Sequence, residues 1–156
     1  MKTELSQEYL HSLFEYKDGN LFWKSSGLKA GSKKSNGYTY VGISNNTYGI
    51  HRIIFMMFNG YIPNEVDHID NDPSNNKIEN LRESNFVTNQ WNRSLQKNNT
   101  SGYKNVFWNK GMKKWQVQIR SSGKKMNVGY FYDIELADLV AQEARSKYHG
   151  NFAKHF

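Results

Sequence analysis

Residues 66–93, VDHIDNDPSNNKIENLRESNFVTNQWNR, gather side chains suited to hydrolysing a phosphodiester. Asp67 and His68 are adjacent; Asn80 lies twelve residues after His68 and Asn89 twenty-one after it. Such a reaction needs a base to deprotonate water, a cation to neutralise the phosphate, and stabilisation of the leaving oxygen. A hard divalent cation does the last two and prefers oxygen ligands, which Asp67 and Asn89 can offer. Two protein oxygens leave positions for water and phosphate, as Mg²⁺ is usually held. An imidazole such as His68 is a suitable base near neutral pH. Asp-His pairs and asparagines are also common in turns and caps. The agreement of four positions favours a catalytic His68. Asn85 and Asn92 sit at i−4 and i+3 from Asn89 on one helical face, and either can take its place as ligand. Asp70 and Asp72 read as loop caps, and His51 as a helix-start or packing residue.

The elements that must carry these residues follow from periodicity and punctuation. Asp67-His68 closes a strand, a polar loop follows, and Asn89 sits on a short Asn-rich helix. Upstream, a helix is expected over Ser6–Tyr16, with Tyr9, Leu10, Leu13 and Phe14 on one face. Asp18-Gly19-Asn20 turns the chain into a strand at Leu21–Trp23. A Gly/Ser/Lys loop spans residues 24–37. Strands at Tyr38–Ile43 and Thr47–Ile50 flank an Asn45-Asn46 turn. A helix over His51–Asn59 is capped by Gly60.

Here the chain resembles the HNH endonucleases, in the phage and intron-encoded branch with Asn as the third signature residue. The matching residues are Asp67-His68, Asn80 in Ile78-Glu79-Asn80-Leu81-Arg82, and Asn89 in Thr88-Asn89-Gln90-Trp91-Asn92-Arg93. His51-Arg52 ahead of an apolar helix is similar too, and the likeness runs over about residues 5–93. The resemblance implies two short strands and a helix around one metal. His68 would be the general base, Asp67 and Asn89 metal ligands, and Asn80 the residue fixing loop and histidine. Asn rather than His at the third position favours Mg²⁺ or Mn²⁺ over zinc. Arg82 and Arg93 are candidates for phosphate contacts.

Composition bounds the alternatives. The chain has 156 residues, no cysteine and 37% hydrophobic residues, so disulfide scaffolds, thiolate zinc sites and cysteine nucleophiles are excluded. The N-terminus lacks an apolar signal segment. The longest strongly apolar run, Ile53–Phe58, is too short to span a bilayer, so an intracellular protein is expected. Residues 1–95 carry ten basic and ten acidic side chains, whereas residues 96–156 carry eleven and four. A one-signed tail attracts polyanions in a salt-dependent way.

That tail alternates polar and apolar residues in Trp115–Arg120, with flanking strands at Tyr103–Asn109 and Met126–Phe131. Asp133 caps a helix with an expected apolar stripe of Leu136, Leu139, Val140 and Ala144, ended by Gly150. Parity puts Val106, Trp108, Trp115, Val117, Ile119, Met126 and Val128 toward the helix. Asn105, Phe107, Gln116, Gln118, Arg120, Lys125 and Asn127 point outward, where amides and cations can read bases and nearby lysines meet phosphates. Residues 101–153 resemble the plant APETALA-type DNA-binding domain through SGYKNVFW, KKWQVQIR, KKMNVGYF, IELADLVAQEARSKY and HGNFA. The resemblance implies DNA contacts from Lys104, Phe107, Gln118, Arg120, Lys125 and Asn127.

The expected fold class is α+β: an N-terminal ββα-metal nuclease domain, then a three-stranded antiparallel sheet packed on one helix. The nuclease domain is expected over residues 1–95, as a strand and helix extension (1–60) and the ββα-metal motif (61–95). The DNA-binding domain is expected over 96–156. The expected activity is metal-dependent cleavage of double-stranded DNA by a homing or nicking endonuclease using one Mg²⁺ or Mn²⁺, with no membrane or protein partner evident. The rivals are a DNA-binding regulator without turnover and a structural RNA-binding protein.

Overall fold

The computed structural model describes residues 5–85, 88, 91, 95, 98–121 and 123–155. The chain divides into two compact units, Met1–Asn85 and Phe86–Phe156. That division falls ahead of the boundary expected between residues 95 and 96.

In the first unit, α1 (Gln7–Leu13) starts at Ser6, whose Oγ accepts from the Tyr9 N–H. The expected helix is shorter by its last turn, because Phe14–Lys17 extends as β1 and pairs with β2 (Asn20–Trp23). The Asp18-Gly19 turn between them needs positive φ at both residues, and a Cβ on Gly19 would lie 2.9 Å from the Lys77 nitrogen. The hairpin tip therefore sits directly against the loop that follows His68. Two residues of the Gly/Ser/Lys loop form β3 (Ser32–Lys33), beside β4 (Thr39–Ile43) and β5 (Asn46–Gly49) in an antiparallel sheet.

Helix α2 (Ile50–Asn59) ends at Gly60, in the left-handed conformation with φ 80°. Its Ile50, Ile53, Ile54 and Met57 are buried among Leu10, Phe14, Leu21, Val41 and Leu81. This core supports the last hairpin, β6 (Glu65–His68) with β7 (Leu81–Ser84), which pairs Asp67 with Arg82 and His68 with Leu81. A 3₁₀ turn at Ile78–Asn80 leads into β7.

The second unit is an antiparallel sheet of β8 (Val106–Asn109), β9 (Lys114–Ser121) and β10 (Lys124–Phe131), with β9 central. Helix α3 (Ile134–His149) packs on it, started by Asp133 accepting from the Leu136 N–H. The expected Leu136/Leu139 stripe is corrected here. Leu136 and Leu139 are 49% and 62% exposed, while Ala137, Ala141 and Ala144 are buried. Small residues let the helix backbone approach Val106 and Val117 closely, which leucines at those positions would prevent.

Two inward assignments on the sheet also change. A β-bulge between Asn127 and Gly129 resets the alternation. Val128 becomes exposed, Phe131 joins the core, and Tyr130 moves opposite Gln116. Trp108 shares a face with Trp115 but is 48% exposed, touching it edge-on at 5.0 Å. The fold is thus α+β, with the β6–β7 hairpin in the first unit and a sheet on one helix in the second.

Candidate active site

Asp67, His68, Asn76 and Asn80 are all buried, with 7, 3, 5 and 9% exposure. Polar side chains at such depth need partners, and these have them. Asp67 Oδ2 accepts from Arg82 Nη2 at 2.8 Å and Nε at 3.0 Å, across the β6–β7 pair. A buried carboxylate facing its cross-strand guanidinium is a fixed charge pair rather than a mobile surface ion.

His68 reaches the other way. Its Nε2 donates to Asn76 Oδ1 at 3.0 Å. The orientation of the Asn76 amide is set because its Nδ2 donates to the Ser74 carbonyl at 3.3 Å. An amide oxygen is an acceptor only, so a neutral His68 carries its proton on Nε2 and its lone pair on Nδ1.

Asn80 organises the intervening loop. Its Oδ1 accepts from the Asp70 N–H, and its Nδ2 donates to Asp70 Oδ1 and to the Asn75 carbonyl. Its own carbonyl accepts from the Ile69 N–H. Asp70 also accepts from the Asp72 N–H and from Asn75 Nδ2. Burial alone would raise the Asp70 pKa. Hydrogen bonds from Asn75, Asp72 and Asn80, with the nearby His68, outweigh it and hold the carboxyl below its ordinary value. The loop is tied at its far end as well, where Tyr16 Oη accepts from the Ile78 N–H and Lys77 pairs with Asp18.

The first turn of α2 closes the site from behind. Arg52 donates to the carbonyls of Pro63 and Asn64, fixing the approach to β6. The His51 ring lies 5.2 Å from His68, centroid to centroid. Burial pushes the His51 pKa down to about 4, helped by His68 and Arg52, so this second imidazole is neutral at working pH. Tyr38 sits 5.7 Å from His68 and 5.2 Å from His51. Burial, with Asp67 and Tyr40 nearby, raises its phenol pKa, so it stays protonated.

Sequence reasoning missed Asn76 and Tyr38 altogether. No local signal separates Asn76 from Asn71 and Asn75, and Tyr38 meets His68 only through the tertiary fold. The expected ligand Asn89, its alternative Asn92 and the expected phosphate contact Arg93 lie outside the described residues. Among the described residues no three His, Asp or Glu side chains gather as a metal cage. The donors in this cluster are the carboxylates of Asp67 and Asp70, amide oxygens and the imidazoles of His68 and His51, and the chain has no thiolate to offer. Oxygen donors of this kind fit a divalent cation that keeps part of its coordination for water and phosphate.

In the second unit, Phe107 is opposite Gln116, Gln118 opposite Asn127, and Arg120 opposite Lys125, so these residues share one face. Phe107, Arg120, Lys125 and Asn127 are exposed and Gln118 is half-buried. Gln116 Nε2 donates to Asn127 Oδ1. Lys104 turns inward instead. Its ammonium donates to the Trp91 carbonyl at 2.9 Å, and burial, with Arg145 and Lys154 near, pushes its pKa down to about 8. The Trp91 ring stacks on His149, with centroids 4.4 Å apart. Arg145 is fully buried and donates to the carbonyls of Lys104 and His155.

Residues 48–90 match the family described as HNH endonuclease. Protein 3.8 of Escherichia phage T7 is 35% identical over 108 residues, covering 67% of this chain and 87% of that protein. The chain carries an HNH endonuclease domain. A solved structure described as DNA binding and cleavage by the HNH homing endonuclease I-HmuI is also similar, at 26% identity and a TM-score of 0.43. The match spans 49% of this chain and 49% of that one. The HNH segment covers α2, β6, the 3₁₀ turn and β7, so His51, Arg52, Asp67, His68, Asn76 and Asn80 all fall inside it.

Proposed function

We propose that this protein is a metal-dependent endonuclease that hydrolyses phosphodiester bonds in double-stranded DNA, of the freestanding homing or nicking kind found in phages. The observation that carries the reading is the buried His68, whose Nε2 is committed to Asn76 and whose lone pair therefore resides on Nδ1.

In this mechanism Nδ1 takes a proton from water as the water oxygen forms a bond to phosphorus. The bond from phosphorus to the 3′ oxygen breaks, and that oxygen is protonated from solvent. Asn76 holds the ring in the base-competent tautomer, and Asn80 holds the loop that carries Asn76. Asp67, with Asn89 as second ligand, would hold one Mg²⁺ or Mn²⁺. When bound, that ion supplies charge neutralisation to the phosphate and leaving oxygen. Arg82 orients the Asp67 carboxylate, which adds a positioning role to the phosphate contact expected of it; Arg93 keeps the phosphate role.

The second unit, of APETALA type in this reading, presents Phe107, Gln118, Arg120, Lys125 and Asn127 to DNA. The charge excess of the tail supports this assignment. Lys104 contributes by securing the Trp91 segment within that unit.

The test is cleavage of supercoiled plasmid and of phage genomic DNA with Mg²⁺, Mn²⁺ or EDTA, wild type beside His68→Ala. The expected result is metal-dependent nicking that falls by about 10²–10⁴-fold in the variant, with DNA affinity preserved. A variant that nicks at the wild-type rate removes His68 from the mechanism. One observation favours a second reading, a DNA-binding regulator: the Asp67 carboxylate already has a cationic partner in Arg82. Retention of DNA without any metal-dependent nicking on either substrate would select it.

A further inference from the structure

The mechanism uses no residue of the Gly/Ser/Lys loop at residues 24–37, which has four lysines and no carboxylate. Gly31 bends this loop. Its φ of 86° is left-handed, and a Cβ there would lie 2.7 Å from the Tyr40 carbonyl oxygen and 2.8 Å from Ile50 Cδ1. Before the bend, Lys29 bridges to Phe22 of β2; after it, Lys33 pairs with Thr39 of β4. Lys29 and Lys33 thereby line one cavity of about 270 Å³, together with Asn20, Thr39, Ser74 and Asn76.

The charge on this wall is unbalanced. Elsewhere in the unit Lys17 pairs with Glu15 at 3.0 Å and Lys77 with Asp18 at 2.8 Å. Lys29, Lys33 and the Thr39 hydroxyl have no side-chain partner among the described residues. Asp72 lies near Lys33, but its Oδ1 is occupied by the N–H and hydroxyl of Ser74. Two ammoniums and a hydroxyl on a concave wall are donors suited to a phosphate, whose oxygens only accept. An apolar occupant would desolvate both cations without a counter-charge. The place of the cavity points the same way. Asn76 lines it and also accepts from His68, so the cavity stands one side chain away from the proposed base.

We infer that this cavity is a second phosphate subsite: Lys29 and Lys33 neutralise a DNA backbone phosphate near the one attacked, and the Thr39 hydroxyl donates to it. That the phosphate belongs to a DNA substrate rests on the nuclease reading above.

The test measures DNA binding by the full chain, by anisotropy without metal at several ionic strengths. The probes are a random-sequence duplex and fragments of phage genomic DNA. Lys29→Ala with Lys33→Ala should weaken both about equally, by about 10-fold at low salt, and lower the salt slope by about 1. Lys29→Arg with Lys33→Arg should restore the slope. Lys24→Ala with Lys34→Ala removes the same charge from the same loop outside the cavity lining, and should leave the slope nearly unchanged. Thr39→Val should weaken binding about fivefold without altering the slope, because it removes a neutral donor. Inorganic phosphate, titrated at constant ionic strength, should shift the Gly31 and Lys33 amides of ¹⁵N-labelled protein saturably, and should not do so in the Lys29/Lys33 alanine pair. An unchanged DNA slope in that pair overturns the inference even if inorganic phosphate binds, since the cavity would then hold a free anion. An equal fall in the Lys24/Lys34 pair overturns it too, because loop charge alone would account for the effect. If wild type never nicks DNA while the slopes behave as described, the nuclease reading fails and the phosphate subsite stands.

Discussion

The β6–β7 hairpin and the β8–β10 sheet are both antiparallel and both carry the polar residues that sequence points to, but they place them oppositely. In the hairpin those side chains are inside. Asp67 answers Arg82, His68 answers Asn76, and Asn80 holds Asp70 and Asn75. In the sheet Phe107, Arg120, Lys125 and Asn127 face outward. A buried polar group must be paired or it destabilises the fold, so a chemical site built this way is also a structural site. An outward face has no such constraint and can vary its contacts cheaply. Function and stability should therefore move together in the hairpin and separately on the sheet.

The largest effect sharpens the comparison from within the second unit. Arg145 is the buried cation there, so it should behave like a hairpin residue. Arg145→Leu should cost about 3–5 kcal/mol in denaturant unfolding, because it strands the carbonyls of Lys104 and His155 and leaves Asp138 without its neighbour. A loss below 1 kcal/mol would break the rule that depth, not region, sets the cost.

Asn80→Ala comes next. It removes three side-chain hydrogen bonds, each worth about 1 kcal/mol, so a loss of about 3 kcal/mol is expected together with a fall in nicking. Lost activity at unchanged stability would show that the two are separable in the hairpin after all.

Acid titration tests the same region. The folded state holds His51 neutral down to about pH 4, whereas the unfolded chain protonates it near 6.5. Between those values the unfolded state binds more protons, so the contribution is present above pH 6.5 and is lost as pH falls toward 4. The loss should reach about 2–3 kcal/mol, and His51→Phe should flatten that part of the curve. An equally steep curve in the variant would assign the acid sensitivity elsewhere.

The smallest stability effect belongs to the sheet. Arg120→Ala combined with Lys125→Ala should change unfolding by less than about 0.5 kcal/mol. It should also weaken DNA binding and reduce the salt slope by about 2, measured by anisotropy at several ionic strengths. An unchanged slope would move the DNA footprint off this face.

What was legible in the sequence follows the same division. Asp67, His68 and Asn80 could be read because they lie close together in a fixed spacing on one hairpin. Asn76 could not, because an asparagine-rich loop offers several equivalent candidates and only folding selects one. Tyr38 and His51 reach His68 through tertiary packing, which no periodicity reports, although the His51-Arg52 pair was visible as a motif. In the second unit, alternation identified the outward row at Phe107, Gln118, Arg120 and Lys125. It failed beyond Asn127, where one bulged residue inverted the pattern. The helix misled for a related reason: periodicity weights large apolar side chains, but close packing on a sheet selects alanines. Residues 86–87, 89–90 and 92–94, which include Asn89 and Arg93, lie outside the described set.

Gly49 sets a trap for anyone engineering this protein. It opens α2 without a side-chain cap, and no acidic residue follows in the first turn, so ordinary optimisation would mark it for replacement by Ser or Asp. The thermal gain would be a few tenths of a kcal/mol. The new side chain would occupy the space of the His51 ring. Crowding a buried ring costs more than that gain, so a library selected for heat resistance should keep the glycine at position 49 despite the better caps available.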